Sequence, residues 1–138
     1  MTGLVLAACA ASLRAQAPAR PPLPNDSLAL ARRFATWIWT SQVDSLLAHS
    51  PAADRTAENR QQMVDGIAQM QARVGNETAL VEERWVRRNG NRQYWRVARF
   101  SDFADEPVVL RIVISPAGEM IGVGFNPLSQ VPPVDPEP

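Results

Sequence analysis

Residues Glu77 to Pro127 read ETALVEERWVRRNGNRQYWRVARFSDFADEPVVLRIVISPAGEMIGVGFNP. Aromatic and β-branched residues alternate with charged ones over the first half, the pattern of strands with one face in water. A first strand is predicted over residues 78–87. Asn89-Gly90 follows, and both residues accept the positive φ of a two-residue hairpin. The second strand spans 92–100, and 102–107 form a looser turn. Val108 to Ile114 is nearly all apolar, so the third strand belongs in the middle of the sheet. Ser115-Pro116-Ala117-Gly118 turns the chain into a last strand over 120–125. Leu110, Ile112 and Ile114 are predicted to share one buried face with Ile121, Val123 and Phe125.

Three helical segments precede this meander. Leu30, Phe34, Trp37, Ile38 and Ser41 recur at three- and four-residue spacing from a start near Ser27, with Asn25 or Asp26 as cap. Arg32 and Arg33 fall on the other side. A short helix over 43–48 turns Val43, Leu46 and Leu47 inward and stops at Ser50-Pro51, because proline cannot continue the ladder. The third helix starts near Thr56 and ends at Gly75-Asn76. Its Met63, Ile67, Met70 and Val74 are spaced four, three and four. Gly66 inside it costs about 1 kcal/mol relative to alanine, and close packing on the sheet is the expected reason. The resulting fold class is α+β, with three N-terminal helices packed on a strongly bent four-stranded antiparallel sheet.

One domain is expected from 138 residues. Fourteen basic residues balance fourteen acidic ones, so bulk charge points to no polyanion partner. Every basic residue is arginine, and the arginines are spread along the chain. Residues 1–17 are rich in Ala and Leu and end Ala15-Gln16-Ala17, small residues that suit signal-peptide cleavage. The apolar run is too short to span a bilayer. Met1-Thr2-Gly3 carries no basic side chain, which leaves room for a start upstream. Leu6-Ala7-Ala8-Cys9 also fits a lipobox, so cleavage after Ala17 and lipidation at Cys9 both stand. The first gives a periplasmic or secreted protein without cysteine, the second a lipoprotein. Residues 18–26 are a Pro-rich linker, 27–127 the domain, and 128–138 a disordered Pro-rich tail.

The early helix with Phe34 and Trp37 and the short helix at Leu46-Leu47 carry a family resemblance. So do Val108–Ile114, Gly118-Glu119-Met120-Ile121-Gly122 and Phe125-Asn126-Pro127. Over about 27–127 the chain resembles the nuclear-transport-factor-two-like superfamily, the cystatin- and ketosteroid-isomerase-like cone. Within it the chain is similar to a bacterial secreted family of unknown function that is also found in front of α/β-hydrolases. This implies a concave pocket between helices and sheet. The chain has no Gly-x-Ser-x-Gly elbow, so hydrolase activity does not carry over.

The candidate ligand-binding residues are Phe34, Trp37, Met63, Ile67, Tyr94 and Phe125. No catalytic residue, cofactor or metal site is assigned. His49 is the only histidine, read as a surface residue at a helix end, and zinc needs three or four convergent ligands. Tyr94, Glu82, Glu83 and Asp102 are the remaining acid–base candidates. Alternation places Glu83 with Val81 and Trp85, and Glu82 with Leu80, Arg84 and Val86; one of the two glutamates faces inward. A cross-strand pair with Arg96 or Arg99 is the plainer reading of either. The first hairpin carries six arginines against three glutamates, with Trp85, Tyr94 and Trp95 between them. An anionic ligand fits that pattern, whereas export argues against nucleic acid. Trp37 and Trp39 point apart on a helix, so one lies off the main stripe. The expected function is a non-catalytic exported domain binding a small apolar or anionic ligand or a partner. The alternatives are a homodimer through the convex face at Val109, Arg111 and Val113, and an isomerase- or dehydratase-like enzyme using a pocket carboxylate. No membrane association is expected unless Cys9 is lipidated.

Overall fold

A computed structural model describes residues 27–137. The leader, Cys9, the linker and the Asn25/Asp26 cap lie outside the described residues. Helix α1 spans Ser27–Trp39, α2 Val43–Ala48 and α3 Ala57–Val74, with a 3-10 turn at Ala52–Asp54 between the last two. Strands β1 Glu77–Arg88, β2 Asn91–Phe100, β3 Phe103–Ile114 and β4 Met120–Pro127 form one antiparallel sheet in that order. The architecture is α+β, helices first, with β3 interior and β1 and β4 as edges.

Local chemistry accounts for the element ends. The Thr56 hydroxyl accepts from Asn59 N at 3.1 Å and caps α3. Asn89 and Gly90 take φ of 51° and 75°, which closes the β1–β2 hairpin. Strand β3 starts earlier than the sequence pattern indicates. Its register slips opposite Ala98–Phe100, and this bulge accommodates Pro107, which has no N–H to give a ladder.

A second slip, between Leu80 and Glu82, breaks the simple alternation in β1. Leu80 pairs with Ala98 and Glu83 with Arg96, so Leu80 and Glu83 share the helix side. Glu82 pairs with Val97 on the other face. The inward glutamate is therefore Glu83.

Six residues of α1 are buried: Leu30, Ala31, Phe34, Ala35, Trp37 and Ile38. They pack with Tyr94, Leu110, Ile112, Ile114 and Met120 on the inner face of the sheet. Ser41 does not extend this stripe; it lies past the end of α1 with φ of 55° and is exposed. His49 is not a surface residue. It is 0 % exposed, with its ring 4.9 Å from Trp37 and Nδ1 donating to Ser45 O at 2.8 Å. The chain folds back where α2 ends, and the imidazole fills the space beside Trp37 and Phe34. The His49 carbonyl then accepts from Met120 N at 2.9 Å and ties α2 to the start of β4.

The outer face carries a second cluster, Trp95, Val97 and Val109, with Val86 and Val131 against it. Val131 belongs to the segment read as a disordered tail, which instead runs over the sheet. The Pro133 carbonyl accepts from Arg88 Nε at 3.1 Å, and Asp135 N donates to Arg87 O at 2.8 Å. The Asp135 carboxylate accepts from Asn89 N and Gly90 N at 2.9 and 3.0 Å. Proline composition alone reads as disorder, but an extended proline segment loses little entropy when it docks. The tail therefore caps the hairpin turn and covers part of the face proposed for dimerisation, where Val109 is buried.

The bonds from Gly90 N and Asn89 N hold the Asp135 carboxyl below the usual carboxylate range. Its stabilising contribution is complete above the unfolded-state pKa and fades as pH falls through the lower folded-state value. Asp135→Asn should lower the urea midpoint at pH 7 and speed amide exchange at Asn89 and Gly90. The gap to wild type should close under acid conditions, and identical midpoints at pH 7 would count against the clamp.

Candidate functional site

The stripe of α3 is only half covered. Ile67 and Val74 are buried, whereas Met63 and Met70 are partly open. The helix leans on α2 and α1 more than on any strand. On the other side β4 outruns the helix layer. Val123 stands opposite Ile112, yet Val123 is 47 % exposed and Ile112 is fully buried. Ile121, at a register slip between Val113 and Ile114, is 41 % exposed. These two residues were expected in the buried face; they sit at the uncovered margin instead.

Between α3 and β4 lies a cleft of about 430 Å³. Ile38 and Leu46 line it from α1 and α2, Met63, Gly66, Ile67 and Met70 from α3, and residues 120–125 from β4. Ser50, Asp54, Asn59 and Gln62 supply the polar groups. The volume is within the usual range for small-molecule sites, and the lining is mostly apolar. Among the described residues, Asp54 is the single charged one in the lining. Gly66 does not mark close packing on the sheet: a Cβ there would meet nothing within 4 Å. It widens the cleft wall.

Of the six residues read as ligand-binding, Met63, Ile67 and Phe125 line this cleft. Phe34, Trp37 and Tyr94 are packed in the core and do not. Sequence reasoning missed Gly66, Met70 and the β4 residues 120–124, although a mid-helix glycine and an uncharged last strand were visible.

A second constellation joins α1 to β1 and β2. Glu83 accepts two bonds from Arg32, at 3.0 and 2.7 Å, and one from Arg96 Nη1 at 3.1 Å. The Tyr94 hydroxyl donates a short bond to the same carboxylate. Arg96 also makes a bidentate pair with Glu77 at 3.0 and 2.6 Å. The expected pairing of a β1 glutamate with Arg96 is present. The Arg32 hydrogen bonds, and then that of Tyr94, outweigh desolvation and hold Glu83 down at about 2. Burial, with the bond to Glu83, pushes the Tyr94 phenol up to about 12. Glu83 is thus a weak base and Tyr94 a neutral hydroxyl, and each already has its partners. A general base needs a pKa near the working pH and a free path to the substrate proton. This cluster tethers α1; it is not poised for proton abstraction.

Trp39 is the tryptophan off the main stripe. It packs 5.1 Å from Phe100 and 5.9 Å from Phe125, at the far end of the cleft. Among the described residues no three potential metal ligands converge, and no helix is long and apolar enough to cross a membrane. No family model, curated protein or solved structure matches the chain.

Two outcomes follow from this geometry. Glu83→Gln should lower the urea midpoint at neutral pH, because it removes the ion pairs to half-exposed Arg32 and to Arg96, which keeps only Glu77. Wild-type stability should fall as pH drops from about 4.3, the unfolded glutamate value, towards about 2; a flat urea-denaturation profile across that window would refute the tether. Gly66→Ala should stabilise by about 1 kcal/mol in urea unfolding, since the site is an open helix interior. A loss of stability would mean that the glycine serves packing after all.

Proposed function

We propose that this chain is an exported, non-catalytic domain that binds an elongated apolar ligand between α3 and β4. The supporting observation is the mostly apolar 430 Å³ cleft, in whose lining Asp54 is the one charged group among the described residues. Of the apolar and anionic ligands considered from sequence, this favours a neutral or cationic apolar molecule, because an anion would meet Asp54 and no lining cation. The resemblance to the nuclear-transport-factor-two-like cone agrees with a hollow between helices and meander. The leader over 1–17 agrees with export, and the Cys9 alternative would add a lipid anchor.

Catalysis of the isomerase type is the weaker reading. It requires a carboxylate beside Tyr94, and Glu83 is there, but both groups are occupied and neither lines the apolar cleft. Homodimerisation through the outer face would have to displace the tail from Trp95, Val97 and Val109.

Decanol, decylamine and decanoate below their aggregation limits test the binding reading in thermal-shift titrations. Decanol and decylamine should raise Tm by about 10 °C at hundredfold excess over Kd, and decanoate should not. Gly66→Trp should fold and lose the response. Absence of any shift, or a full response from the blocked variant, would overturn the proposal.

A further inference from the structure

The two edges of the sheet are built differently. Edge strand β1 has six charged residues in twelve: Glu77, Glu82, Glu83, Arg84, Arg87 and Arg88. Edge strand β4, Met-Ile-Gly-Val-Gly-Phe-Asn-Pro, has none in eight. Charges on an edge discourage pairing with a further strand, and an uncharged apolar edge invites it. Among the described residues, Met120 N is the only backbone group of β4 bonded outside the sheet, to His49 O. Residues 121–127 make no such bond among the described residues. The free edge therefore runs from Ile121 onward, along the wall of the cleft.

Resting on the reading of the cleft as the binding site, we infer that its occupant is an extended peptide segment that adds to β4 as a fifth strand. An added strand sends every second side chain to the inner face. There those side chains fall between α3 and β4, against Met63, Ile67, Met70 and Val123. The space bounded by one helix and one strand edge matches a single strand, which is how strand addition works in grooves of this type. Charge selects the sequence. Asp54 makes no ion pair with any described residue, and it lies with Ser50 at the Met120 end of the cleft. The fitting segment has apolar residues at alternate positions and an arginine or lysine at that end. A second copy of the chain fits less well: its own β4 carries no cation to meet Asp54.

The probe is a capped seven-residue peptide of alternating valine and threonine ending in arginine, added to the full chain. Fluorescence anisotropy reads its affinity, and amide exchange reads residues 121–127. The expected result is slowed exchange over 121–127 and competition with decanol. Methylation of alternate peptide nitrogens should weaken binding about tenfold or more, because it removes the ladder bonds and keeps the side chains. Asp54→Asn should weaken the arginine peptide about threefold and leave a serine-ended version unchanged. Val123→Lys, at an exposed position that tolerates it, should abolish binding. If decanol binds but the methylated peptide binds as well as its parent, the cleft reading stands and strand addition falls. If neither decanol nor the peptide binds, both fall. A dimer in light scattering that Val123→Lys dissociates would give the edge to a second copy and overturn the inference.

Discussion

One helix cannot cover four strands. A sheet of four strands is about 19 Å wide at the usual spacing, and a helix with its side chains is about 10 Å across. Helix α1 takes the middle, where Phe34 meets Tyr94, Leu110 and Ile112 in the core. The remaining inner face falls to α2 and α3, and these pack on each other and on α1 before they reach β4. The uncovered margin is the result of that width mismatch. Met63, Met70, Ile121 and Val123 are apolar residues of two elements that approach each other without closing.

The charged cluster fixes where the mismatch appears. Arg32, Glu83, Tyr94, Arg96 and Glu77 hold α1 to the β1–β2 side of the sheet. With α1 anchored there, the deficit of cover falls on the opposite edge. The outer face is closed by other means. Arg111 lies across Gly124, where any Cβ would stand 2.1 Å from its Nη2, and reaches Asn126 at 2.8 Å. Arg84 sits 5.1 Å over the Trp95 ring. Polar and apolar layers thus have separate tasks, and the cleft is left to the apolar one.

Elements were legible in the sequence wherever period and punctuation agreed. The 4-3-4 spacing of Met63, Ile67, Met70 and Val74, the helix start near Thr56, and Asn89-Gly90 each encode a local conformation, and each took it. Cover was not legible. Alternation assigns Val123 a face but carries no information on whether a helix reaches it. His49 was misread because its position at a helix end is local and its burial against Trp37 is not. Glu82 and Glu83 were inseparable because the bulge at Val81 resets the alternation. The tail was misread because composition measures the tendency to disorder, whereas the Asn89 and Gly90 amides that receive Asp135 are 45 or more positions away.

The docked tail also decides the geometry of any fusion. Asp135 holds the described end of the tail beside the β1–β2 turn, on the side of the sheet away from α3. A tag, a surface linkage or a second protein attached there leaves the groove facing open solvent. Attachment ahead of Ser27 instead starts at the helix layer, on the same side as the groove.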